Sequence, residues 1–374
     1  MRKSGTIELR LHGGRAPPWL VPRMKSLSEA ILTAIWMDSG PDGIIRRLSD
    51  PIWFQALSNT LGYDWDSSGS TTVTSTVLKD ALNTVEVGVK AAGGKGRRSR
   101  WAPAEIRQIC DAPSFSGADP DSLVYSSRMS AKVDSAAIQA GYQIYHHVFF
   151  FTESGGWTVV QQGMNASLKS ARRYHWTSEQ LRSFVEEPHT GIVGDRTVDK
   201  VLDMTARKSE EARRVSVDLV SDSPQALRRH LTSIKDEHQA SLREWLPSFE
   251  EKPDSVYKVV VESRVNWEAL KQAYELKPGN YEQLLGIKGI GPATVRALAL
   301  VSEVIYSADI SRKDPVRYSF SFGGKDGIPY PVNRKRMDEA TAAIKDALER
   351  ARIGDDERLR AFRRLTRLTG SMRP

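Results

Sequence analysis

YHHVFFFTESGGWTVVQQGMN, residues 145–165, holds two apolar runs separated by a Gly155-Gly156 turn. Runs rich in Val, Phe, Thr and Trp on either side of such a turn read as a β-hairpin. Elsewhere the apolar residues recur at helical spacing. They do so at 24–37, 51–62 and 104–110, and in SSRMSAKVDSAAIQAGY at 126–142. Residues 197–245 read as helix-rich, with a Ser/Pro break at 221–224, and 255–306 as helical apart from KPGN and a glycine turn. A short strand is expected at 5–11 and a final amphipathic helix at about 334–352. YDWDSSGSTTVTST reads as a hydroxyl-rich loop leading into a helix, AAGGKGRRSRWAP as a glycine-rich basic loop and DAPSFSGADPDS as a linker. The expected fold is α+β and mainly α, with helical domains around a small antiparallel sheet. Three domains are expected, at 1–115, 116–205 and 206–374.

A hydrophobic fraction of 40% with 27% charged residues is ordinary for a globular protein. Cys110 stands alone, so no disulfide framework or cysteine-based zinc site is available, which fits a reducing cytoplasm. No run approaches the roughly 20 apolar residues that span a membrane. The net charge of +8 points to a polyanionic partner, because a basic surface gains affinity by releasing phosphate counterions. The cations cluster: Lys95, Arg97, Arg98 and Arg100; Arg172 and Arg173; and Arg360, Arg363, Arg364, Arg367 and Arg373.

LLGIKGIGPATVRALAL, residues 284–300, sets Gly286, Gly289 and Gly291 between two helical runs. Glycine permits positive φ and close backbone approach, and Pro292 fits a first helical position. The turn's amides and the positive end of the following helix make an anion site. Over residues 279–304 the pattern resembles the helix-hairpin-helix motif of DNA repair and processing proteins. That resemblance implies a C-terminal module whose main-chain amides hold a DNA phosphate without reading bases. Gly286, Lys288, Gly289, Gly291 and Thr294 are its expected DNA contacts, joined by Lys95, Arg97, Arg98 and Arg317.

Further stretches are LHGGRAPPWL, RLSDPIWFQALSNTLGYDWDSSGSTT, AAGGKGRRSR, SRMSAKVDSAAIQAGYQIYHHVFFF, WTVVQQGMN, RYHW, LDMTARKSEEARRVSVDLV and DPVRYSFSFGGKDGIPYPVNRK. Together they resemble domain of unknown function 763, a family of archaeal and bacterial proteins, over nearly the whole chain. Asp66 stands where that family's D-W-H-S-S-G pattern carries histidine. The family implies no activity.

Three readings share a DNA partner. A glycosylase extrudes a nucleotide, holds its base among polar and aromatic groups, and offers a carboxylate to water or to the sugar cation. The helix-hairpin-helix glycosylases carry an aspartate about twenty residues past the last hairpin glycine, and Asp309 and Asp314 fall on either side of that offset. Asp314, Asp64, Lys132 and Asp134 are the expected catalytic groups, Lys132 as a nucleophile whose pKa is lowered beside an apolar core. Gln161, Gln162, Asn165, Tyr174, His175 and Trp176 are the expected base pocket. Base excision calls for no cofactor and no metal. A nuclease would need a divalent metal and acids converging in the fold, from Asp64, Asp66, Asp134 and Asp203. The third reading is a structure-specific DNA-binding protein without catalysis. Asp64 and Asp66 also suit an Asx-turn or a helix N-cap, and Asp314 a turn before Pro315.

Overall fold

The computed structural model describes residues 20–62, 68–194, 197–199, 201–237 and 265–316, together with helical positions 342, 346 and 349. The expected strand at 5–11, Asp64, Asp66, Arg317 and the arginines from Arg360 onward lie outside the described residues, as does the helix at 334–352 apart from those three positions.

The fold is mixed α and β, with a small antiparallel sheet covered on both faces. Helix α1, Leu20–Ser49, turns at Gly40 (φ 66°) just before Pro41. Its buried stripe runs through Met24, Leu27, Ile31 and Ile35. Helix α2, Pro51–Thr60, starts where Asp50 Oδ1 accepts from the amides of Ile52 (2.8 Å) and Trp53 (3.3 Å), with Pro51 in the first turn. Helix α3, Gly69–Leu82, carries the hydroxyl-rich stretch against α2, where Ser58 and Thr74 hydroxyls bond at 2.9 Å.

The strands are β1 Val89–Lys95, β2 Ile138–Gln139, β3 Gln143–Thr152, β4 Trp157–Asn165, β5 Ser170–Thr177, β6 Gly191–Gly194 and β7 Leu202–Asp203. Five of them form one antiparallel sheet in the order β1-β3-β4-β5-β6, while β2 pairs with β7. The hairpin read from sequence is β3–β4, closed by Gly155 at φ 85°. Both faces are covered, so β3 reads as a continuous apolar run rather than an alternating one. Val148, Phe150 and Val160 face α1–α3, while Phe149, Phe151, Trp157 and Trp176 face the other helical layer. Each such side chain contributes about 1.5–3 kcal/mol by leaving water.

That second layer holds α4 Ala102–Cys110, α5 Pro120–Ala136, α6 Glu210–Asp222, α7 Pro224–Glu237, α8 Trp267–Leu276, α9 Tyr281–Gly286 and α10 Pro292–Val304. Across the expected boundary at 115/116, β1 pairs with β3, and Phe115 and Ala118 are buried in a core they share with Phe149. AAGGK is a strand rather than a loop. Gly93 (φ 99°) takes its place because a Cβ there would lie 2.2 Å from the His147 carbonyl oxygen. Side chains complete the outer edge of β1. Asn83 bonds both the amide and the carbonyl of Ala91 (3.2 Å each). Glu105 accepts from the Gly93 amide (2.6 Å), and Lys79 donates to the Gly93 carbonyl (2.8 Å) and to Glu105 (2.6 Å). No helix among the described residues is long and apolar enough to cross a membrane.

Candidate active site

Antiparallel pairing aligns Gly94, His147, Gln161, Tyr174 and Ile192 in one row across the sheet. The side chains of His147, Gln161, Tyr174 and Ile192 share the face covered by α5, which presents Ser127, Ser130 and Asp134 at helical spacing. The contacts are directional. Ser127 Oγ lies 2.9 Å from His147 Nε2, and His147 Nδ1 lies 2.8 Å from Gln161 Oε1. Gln161 Nε2 donates to the Ser130 carbonyl (3.1 Å) and to Asp134 Oδ2. Trp176 Nε1 donates to the same oxygen at 3.0 Å. Asp134 is fully buried, and its other oxygen accepts from His189 Nε2 at 2.5 Å. Because a Gln carbonyl oxygen only accepts, His147 carries its proton on Nδ1 and takes the Ser127 hydroxyl at Nε2. Burial pushes the His147 pKa down.

His189 stands where this network reaches solvent. It lines a cleft of about 250 Å³ together with Glu187, Asp203, Thr205, Lys313 and Asp314. That volume is just below the roughly 300–1,000 Å³ of ordinary ligand sites. Donation from Nε2 to Asp134 leaves the Nδ1 lone pair as the ring's acceptor. Trp176 meets the ring edge-on at 4.6 Å and fixes its plane. Asp203 Oδ1 accepts from the Thr205 amide (2.9 Å) and hydroxyl (2.6 Å). Burial raises the Asp203 pKa, while the Thr205 bonds and the nearby His189 oppose the rise. The arrangement offers a base oriented by a carboxylate, a carboxyl group that holds its proton more firmly than usual, and an ammonium. Among the described residues no group of three or more His, Cys, Asp or Glu could hold a metal ion.

The expected catalytic residues separate. Asp314 lines the cleft, but Oδ2 accepts from Arg172 Nη2 and from the Val198 amide (2.7 Å), and Oδ1 from the Val316 amide (3.1 Å). It anchors the fully buried Arg172, whose guanidinium lies 4.2 Å from the Tyr142 ring centre, and is not a free nucleophile. Asp134 does not line the cleft; it is buried behind His189 and bonded to it. Lys132 lies away from the cleft, half-buried against the glycine turn, with Nζ 3.5 Å from the Ile287 carbonyl; burial lowers its pKa as expected. Asp309 is exposed, 3.7 Å from Lys208.

The expected base pocket is divided by the two-residue period of a strand. Gln161, Tyr174 and Trp176 face α5 and are fully packed. Gln162 and His175 face the opposite layer, where Gln162 donates to Tyr145 Oη and to the Ser68 carbonyl (3.1 Å), and His175 Nδ1 to the Leu48 carbonyl (3.2 Å). Asn165 Oδ1 accepts from the Leu168 amide (3.0 Å) at the strand end. None of the six lines the cleft.

The glycine turn joins α9 to α10. Gly286 and Lys288 are exposed, Gly289 has φ 93°, and Gly291 begins α10 without a side-chain cap. Gly289 is required by contact as well as by φ, since a Cβ would lie 2.7 Å from Asn266 Nδ2. Thr294 is buried and accepts from the Asn266 amide (3.3 Å), so it supports the turn from inside rather than meeting a ligand. Gln139 of β2 donates to the Pro292 carbonyl (2.8 Å) and accepts from Arg296 (2.9 Å). Lys95, Arg97 and Arg98 are exposed at the far edge of the sheet. Sequence reading missed His189, Lys313 and Glu187. His189 precedes β6 as a lone histidine, with no motif around it to mark it.

Residues 5–332 match the model of the family described as "Protein of unknown function (DUF763)". The chain belongs to this family. No curated protein and no solved structure matches it. Membership in DUF763 brings no activity with it.

Proposed function

We propose that this DUF763 protein is a DNA-acting hydrolase that removes a base by cleaving its N-glycosidic bond. The observation that carries the reading is the Asp134–His189 pair opening into the cleft. Water held at His189 Nδ1 loses a proton to that nitrogen as its oxygen attacks the sugar C1′. The C1′–N bond breaks with its electron pair going to the base, which takes a proton from Asp203. The raised Asp203 pKa favours that role. Lys313 offers a positive charge to a phosphate or to the departing base.

The turn at 286–291 supports the DNA partner. Its resemblance to the helix-hairpin-helix motif, the uncapped start of α10 and the exposed Lys288 all suit a main-chain grip on phosphate. From there α10 leads into residues 311–316, which form one wall of the cleft.

The test incubates modified and unmodified duplexes with the protein in EDTA and then with alkali. Strand breaks that appear only after alkali are expected from the native protein, and His189→Ala should abolish them without changing duplex affinity. Gly291→Val should weaken binding to all sequences alike; its φ of −110° tolerates valine, and the methyl groups block phosphate approach. Breaks that need added magnesium or manganese would instead indicate a metal-dependent nuclease. Intact strands with retained binding would indicate a DNA-binding protein without catalysis.

A further inference from the structure

Beyond Gly94 the chain leaves β1 as a short 3-10 turn, Gly96–Trp101, in which no residue is buried. Lys95, Arg97, Arg98 and Arg100 are exposed, and none of them forms an ion pair among the described residues. The nearest acid along the chain, Glu105, is turned inward to Lys79 and the Gly93 amide. Trp101 is 54% exposed, while Trp157 and Trp176 of the sheet are buried. A large aromatic left open beside four cations that form no ion pair among the described residues is the combination that suits a polyanion carrying flat rings.

The turn is also rigidly mounted. Gly93, Gly94 and Gly96 all have positive φ, and a Cβ at Gly94 would lie 3.2 Å from Arg98 Cβ, so the arginine segment packs down on the strand. Lys79 and Glu105 clamp the Gly93 peptide from both sides. Lys95 Nζ lies 5.9 Å from the centre of the Tyr145 ring. Cations that track a backbone beside a flat exposed ring are the chemistry of single-strand recognition, since phosphates meet the charges and an unstacked base meets the ring. Duplex DNA keeps its bases stacked and offers no such face.

We propose that Lys95, Arg97, Arg98, Arg100 and Trp101 form a binding platform for single-stranded DNA, with one base stacked on Trp101. The platform deepens the DNA reading above by naming the strand state, and it rests on that reading only for the choice of DNA. It lies on the β1 edge of the sheet, opposite the β6 edge beside the cleft. Four inter-strand spacings of about 4.8 Å put roughly 19 Å between those edges. A strand of a few nucleotides held on Trp101 can therefore reach the cleft.

Fluorescence anisotropy of a labelled oligothymidylate about 20 nucleotides long tests this, with the full chain and with polyphosphate of equal charge as competitor. Trp101→Ala should weaken oligothymidylate binding roughly 5- to 150-fold, the range of one lost base stack. Trp101→Phe should recover most of the loss. Replacing Arg97, Arg98 and Arg100 together by alanine should flatten the salt dependence by about 2 in log–log slope. All these side chains are exposed, and Trp101 makes no capping bond, so the variants should fold; far-ultraviolet circular dichroism checks this. Unchanged affinity in Trp101→Ala, no recovery in Trp101→Phe, or equal competition by polyphosphate would each overturn the platform. Gly291→Val keeps the two readings apart: duplex binding lost with oligothymidylate binding kept supports both. If Gly291→Val leaves duplex binding intact, the hairpin reading fails and the platform stands.

Discussion

Two histidine–glutamine pairs lie back to back in the sheet and meet different ends. His147 and Gln161 face α5, and their hydrogen bonds run in one direction to Asp134, which accepts from His189 on its other oxygen. His146 and Gln162 sit one residue away on each strand and face α3. There Ser75 lies 2.6 Å from His146 Nε2, yet among the described residues His146 Nδ1, Gln162 Oε1 and the Thr71 hydroxyl have no partner. The same two residue types on the same two strands thus make a complete network on one face and an incomplete one on the other. What decides is the helix above: α5 supplies a carboxylate, and α3 supplies only hydroxyls, of which Ser75 also bonds the Thr71 carbonyl of its own helix.

Breaking the complete network should have the largest effect. Asp134→Ala leaves Gln161, Trp176 and His189 as donors without an acceptor and should cost about 3–5 kcal/mol in urea unfolding. Asp134→Asn should keep more of that stability while activity falls, because an amide does not hold His189 in the same tautomer.

Acid should test both faces at once. Burial pushes the pKa of His146 down to about 3, and also lowers those of His147 and His175. Below about pH 6.5 the unfolded chain binds protons that the folded chain refuses, so stability falls as pH falls. His146 alone accounts for about 2 kcal/mol between pH 8 and pH 5, and the other two add to it. Urea midpoints across that range measure the sum, and a flat profile would contradict the buried neutral state.

Removing one glutamine at a time sharpens the contrast. Gln161→Leu leaves the His147 Nδ1 proton without its acceptor and takes one donor from Asp134, and should cost about 2–3 kcal/mol. Gln162→Leu loses the donations to Tyr145 and the Ser68 carbonyl but also an oxygen without a partner among the described residues, and should cost about 1 kcal/mol. Smallest of all, Thr71→Val replaces a buried hydroxyl that has no partner among the described residues with a methyl group and should be neutral or stabilising by up to about 1 kcal/mol. Equal losses in the two glutamine variants would mean that the networks do not differ.

The sequence carried the hairpin clearly, because apolar runs around Gly155-Gly156 have a local cause. It carried the helices of the second layer for the same reason. β5 was illegible as a strand, since ARRYHW looks like a basic surface patch. Only tertiary partners make it buried: Asp314 for Arg172, and Gln55 with the Pro51 carbonyl for Arg173. The candidate site was half legible. Asp134 and Asp203 were singled out as acids, but nothing local marks His189, which acquires its role from a carboxylate 55 residues away. Tyr174, His175 and Trp176 looked like one cluster only because adjacent letters hide the alternation of strand faces.

The side chains that finish the outer border of β1 have a consequence for the molecule among its neighbours. A bare outermost strand is an invitation to another chain, and long ones seed fibrils. Here Asn83 occupies both hydrogen-bonding groups of Ala91, and Lys79 with Glu105 occupies both of Gly93. A stray polypeptide meets the middle of this rim with its hydrogen-bonding groups already taken, which works against strand addition there.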